Sequence, residues 1–84
     1  MILEQWDEGD FCIYGGAIEA AQGNGYIAAV VVHQVRNTHP SPREVFRDHL
    51  LACGHQWPSH EAAIAYAMDK GRAAVRAAQH RIAC

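Results

Sequence analysis

Apolar residues along this chain change their spacing once, and the change divides it into a sheet-forming part and a helical part. From Phe11 to Arg36 they crowd into two runs, "FCIYGGAIEA" and "YIAAVVVHQVR", joined by "QGNG". Runs rich in β-branched and aromatic residues, split by Asn-Gly, read as a β-hairpin. Asn24 and Gly25 both tolerate the positive φ of a type I′ turn. With that turn, Gly23 faces Tyr26 and Ile18 faces Val31. Tyr14, Gly16, Ile18 and Ala20 then share one face with Ala29, Val31, His33 and Val35. Ile13, Ala17 and Glu19 share the other with Ala28, Val30 and Val32. Gly15-Gly16 inside the first strand predicts a bulge, a sharp bend or a close backbone approach.

"NTHPSPRE" (37–44) is a loop, because its two prolines break both helix and strand. "VFRDHLLAC" (45–53) predicts a third strand that ends at Gly54. "MILEQW" at the start is a candidate edge segment. From residue 59 onward the period is helical: Ile64, Ala67, Met68, Gly71, Val75, Ala78 and Ile82 form one stripe. Ser59 is the expected N-cap, with Pro58 before it and Glu61 in the first turn. Trp57 should be largely buried against the helix start, near Ala62 or Ile64. Gly71 costs about 1 kcal/mol relative to alanine in a helix. Its place on the stripe predicts that the helix crosses the sheet closely there. A helix from Ser59 to about Arg81 is roughly 33 Å long, the length of a ten-residue strand. The expected fold is α+β. A three-stranded antiparallel β-meander is packed by one long C-terminal α-helix, in the order β-β-β-α, as one domain over residues 1–84.

The pieces "FRD" (46–48), "WPS" (57–59) and "EAAIAYAMDKGR" (61–72) carry a likeness. They resemble small bacterial β-β-β-α domains of unknown function, with an FRD-like third strand, an aromatic, a Ser or Thr cap and an Ala-rich helix. The resemblance covers about residues 11 to 80. It implies a fold and supplies no activity.

Size and composition narrow the function. A chain of 84 residues buries only about 60–65% of its unfolded surface, so it has one modest core, and much of its apolar half is alanine. Seven basic against nine acidic side chains give a net charge of −2. That is no strong electrostatic case for nucleic acid or an anionic membrane. The three cysteines, Cys12, Cys53 and Cys84, are odd in number and lack a pairing pattern, which points to a reducing compartment. The longest apolar run, "YIAAVVV", is far short of the ~20 residues that span a bilayer. No signal-peptide pattern opens the chain. The expected location is cytoplasmic, with no membrane and no cofactor.

Two constellations carry possible chemistry. Cys53, His55 and His60 are metal-ligand types within eight residues. Zinc sites use paired spacings, and here the second pair is missing. A joint between strand and helix explains the stretch more simply. Lys70, Arg72, Arg76 and Arg81 lie late in the helix, with Arg72, Arg76 and His80 on one i, i+4, i+8 ridge. That ridge is the candidate nucleic-acid contact, although the hairpin lacks the paired aromatics of a stacking platform. No serine elbow, phosphate loop or H-E-x-x-H occurs, and Cys53 has no established base, so no enzyme is expected. The favoured reading is a non-catalytic protein acting through protein–protein contact, as an accessory, regulatory or antagonist-type molecule with an unidentified protein partner. The alternatives are a nucleic-acid-binding regulator and a metal-binding protein.

The hairpin also predicts a homodimer. It is apolar on both faces, and one helix covers only one. Ile13, Ala17, Val30 and Val32 are assigned to the uncovered face and hence to an interface with a second copy. In the competing account "MILEQW" folds back over that face with Ile2, Leu3 and Trp6.

Overall fold

The computed structural model describes residues 2–20, 25–36, 42–49 and 51–82, without the side chains of Cys53 and of residues 80–82. Strands β1 (Ile2–Glu8), β2 (Phe11–Glu19), β3 (Tyr26–Gln34) and β4 (Arg43–Asp48) form one antiparallel sheet in sequence order. A 3-10 turn, Leu51–Gly54, leads to a two-residue strand β5 (Gln56–Trp57), which pairs with the start of β3. Helix α1 (His60–Ile82) closes the chain. The α+β architecture with one C-terminal helix is therefore as expected, with more strands than the expected three.

The added first strand has a clear cause. "MILEQW" extends to Glu8 and pairs along its length with β2, Glu8 facing Phe11 across Gly9-Asp10. Gly9 takes φ +61°. Gly-Asp at a two-residue turn, with glycine first, is itself a hairpin signal. The segment joins the sheet edge and does not fold back over a face.

The second hairpin keeps its predicted faces but not its register. Ile18 faces Ile27, and Tyr14 faces Val31. The pairing is displaced by four residues from an Asn24-Gly25 turn, because Ala20 N–H already bonds the Gly25 carbonyl at 2.9 Å. Asn24 itself lies outside the described residues. An even displacement leaves every side chain on its original face. Strand β2 runs without a bulge; the irregularity sits in β4, opposite Val32 and His33. The expected third strand begins earlier, at Arg43, and stops at Asp48. Its expected tail instead turns through Leu51–Gly54, with Ala52 at φ 53°.

Helix α1 lies over β2 and β3. Ser59 caps it, its Oγ accepting the Ala62 N–H at 3.2 Å. The stripe from Ile64 through Ala67, Met68, Gly71 and Val75 to Ala78 is buried. It meets Phe11, Ile13, Ala17, Ala28, Val30 and Val32 of the sheet. Close approach explains two glycines. A Cβ on Gly71 would sit 2.4 Å from Ile13 Cγ2, and one on Gly15 would sit 3.1 Å from Met68 Cε. Trp57 is half-buried rather than fully enclosed. It packs against the core and meets Tyr66 at a ring separation of 4.8 Å.

Ile13, Ala17, Val30 and Val32 are 0–1% exposed beneath α1. They form the middle of the core and are not an open face, which corrects their assignment to an interface. Alternation told which residues share a face; only the helix's position tells which face is covered.

Candidate functional site

Among the described residues no helix lies on the opposite face of the sheet. Across the four strands that face carries successive rows, set by the pairing. Asp7, Cys12, His33 and Glu44 make one row. Gln5, Tyr14, Val31 and Arg47 make the next. Leu3, Gly16 and Ala29 follow, with His49 beside them, and Ile18 with Ile27 close the apolar strip. Leu3 is 60% exposed, whereas Tyr14, Ile18, Ile27, Ala29 and Val31 are half-buried by their neighbours alone.

Two small residues shape this surface. Gly16 and Ala29 pair directly, and the missing side-chain volume leaves a dent of about 140 Å³. Leu3, Tyr14, Ile18, Val31 and His49 stand around it. The rim is polar. Arg47 donates from Nε to Glu44 Oε1 at 2.8 Å and from Nη2 to the same oxygen, while its Nη1 lies 3.0 Å from His49 Nε2. The Arg47 hydrogen bonds hold the Glu44 carboxyl below its usual range, and Glu44 in turn raises Arg47. Tyr14 meets the His33 ring edge-on at 5.4 Å. Cys12 pushes the Tyr14 hydroxyl above its usual value, first through a side-chain hydrogen bond and then through the negative charge of its thiolate form. Cys12 is a buried free cysteine.

The helix-side flank of the sheet has a second hollow. Over β4, Val45, Phe46, Ala73, Ala74, Ala77 and Lys70 line a groove of about 400 Å³. One helix is too narrow to cover four strands, so Phe46 remains 36% exposed.

The sequence-predicted sites disperse. Lys70 sits over the Tyr66 ring at 5.3 Å and lines the β4 groove. Arg72 sits over the Trp6 ring of β1 at 5.0 Å. The two cations therefore flank α1 on opposite sides. Arg76 is exposed, and the Arg81 side chain lies outside the described set. Around the helix start, His55 packs edge-on to Trp57 at 4.6 Å and His60 to Tyr26 at 5.8 Å. His60 Nε2 also approaches Glu61 at 3.6 Å. The Cys53 side chain is likewise outside the described set. Among the described residues no three His, Cys, Asp or Glu side chains gather closely enough to hold a metal ion. No described helix is long and apolar enough to cross a membrane.

The dent exists only in the observed register, which pairs Gly16 with Ala29. Gly16 and Ala29 were already visible on one face, but a hairpin closed at Asn24-Gly25 would have placed Gly16 opposite His33. Compared with known proteins, the chain matches no family model, no curated protein and no solved structure.

Proposed function

We propose that this protein is non-catalytic and works by contact with another protein through the uncovered sheet face. One observation carries the reading. The face combines a central apolar strip (Tyr14, Ile18, Ile27, Ala29, Val31) with a polar border of Asp7, Glu44, Arg47 and His49. An apolar centre with a polar rim is the anatomy of a protein interface, and contiguous apolar surface on a small domain marks such contacts. The accessory, regulatory or antagonist roles all use such a face. The soft spots of the alternatives are physical. The cations of α1 point to two flanks, and His55 and His60 are engaged with different rings.

Ala29→Arg tests the reading. The arginine places a charge in the middle of the strip, on a face that α1 does not touch, so circular dichroism and Tm should stay near wild type. Protein association recovered with the wild-type chain should be lost. Unchanged association would refute the face as the contact. An electrophoretic titration at about 50 mM salt, where backbone contacts bind hardest, tests the nucleic-acid alternative. Retardation of RNA or DNA abolished by Arg76→Glu would favour it.

A further inference from the structure

We infer that the occupant of the uncovered face is a second copy of this chain, packed sheet to sheet with its bulky row in the other's dent. The inference rests on the contact reading above and names its partner. Large and small residues alternate along the two central strands. Tyr14 and Val31 pair in one row, and Gly16 and Ala29 pair in the next. Rows on one face lie two residues apart, about 6.6 Å. A two-fold axis running across the strands, between these rows, exchanges them. Tyr14 and Val31 of each copy then stand over Gly16 and Ala29 of the other. Facing sheets pack by this kind of interdigitation, and a two-fold makes the fit reciprocal. A row of bumps beside a row of dents, at the spacing that one operation superposes, is a self-complementary surface.

The same operation carries the row of Cys12 and His33 over Ile18 and Ile27, and leaves Asp7 and Glu44 at the border, in water. On the β4 edge it sets Arg47 of each copy over His49 of the other, with Arg47 still paired to Glu44 of its own chain. Four strands about 4.8 Å apart and some seven residues deep present roughly 400 Å² in projection. Two facing copies remove on the order of 1,000 Å² from water, the low end of specific interfaces. An interface of that size belongs with weak, reversible associations.

Ala29→Leu separates this fit from general stickiness. It adds apolar surface to the face but fills the dent. In sedimentation equilibrium at micromolar concentrations, the wild-type chain should show a reversible species of twice 9.3 kDa. Ala29→Leu, checked for fold by circular dichroism, should weaken association at least tenfold. A wild-type monomer at every concentration, or Ala29→Leu associating as well as wild type, overturns the inference. A photo-cross-linker at Gln5, at the edge of the face and outside the dent, gives a second measurement on the otherwise wild-type chain in its own cells. A dimer-sized product supports the second copy. Cross-links only to a different protein overturn the dimer and leave the contact reading standing. No cross-link at all overturns both.

Discussion

Gly71→Ala is the sharpest test of how α1 sits on the sheet. In an exposed helix the change would stabilise by about 1 kcal/mol, because alanine restricts the unfolded backbone. Here the new Cβ would lie 2.4 Å from Ile13 Cγ2 and 3.2 Å from Val30 Cγ2. Carbons rest about 3.5–4.0 Å apart, so the helix must lift by roughly 1 Å over Ile13. A radial gap of that size forfeits a quarter to a half of the attraction of each contact it opens. Met68 and Val75, both under 5% exposed on the same stripe, would be opened with it. Overpacking costs typically 1–3 kcal/mol, and a clash against branched methyls under a rigid helix belongs at the upper end. Subtracting the helical gain leaves a net loss of about 2 kcal/mol. For a domain of this length each kcal/mol shifts Tm by about 4–8 °C, so the variant should melt roughly 8–16 °C lower. Ile13→Leu removes the offending Cγ2 methyl and alone should cost under about 1.5 kcal/mol. The double variant should lose less than the sum, with a coupling of about 1 kcal/mol or more. Urea titrations of all four proteins measure the cycle. A Gly71→Ala protein as stable as wild type, or more so, would refute the close crossing.

Ser59→Ala should cost about 1 kcal/mol by removing the cap on the Ala62 N–H, and an unchanged urea midpoint would show that the cap is not stabilising. Ala52 holds φ 53°, which costs a non-glycine residue roughly 1–2 kcal/mol. Ala52→Gly should therefore stabilise by about 0.5–1 kcal/mol after glycine's greater unfolded entropy, read as a higher midpoint. Tyr14 should ionise above the ordinary tyrosine range in an ultraviolet titration, and Cys12→Ala should bring it down, because the hydrogen bond with Cys12 is the first cause of the shift. The sign follows: the neutral hydroxyl's contribution to stability is complete below the ordinary tyrosine value and is lost as pH rises through the raised one.

The helix and its cap were legible without a structure. Their signals are local: a 3.6-residue stripe, Ser59 two residues after Trp57, and Gly71 on the buried side. The grouping of the hairpin's side chains was legible too, since alternation along a strand assigns faces whatever the partner. Register was not. The choice between closing the hairpin at Asn24-Gly25 and closing it through Ala20 and Gly25 depends on how Ile13, Ala17, Ala28 and Val30 fit under α1. That fit is a contact between residues more than thirty positions apart. Strand β1 left a signal in Gly9-Asp10, but its pairing with β2 only becomes favourable once β2 has a sheet to belong to. The uncovered face is the furthest from the sequence. Ile13 and Val31 are equally apolar as letters, and the helix's choice of side makes one core and the other surface. The dent then follows from Gly16 and Ala29 meeting across two strands, a coincidence of register that no single stretch of the chain contains.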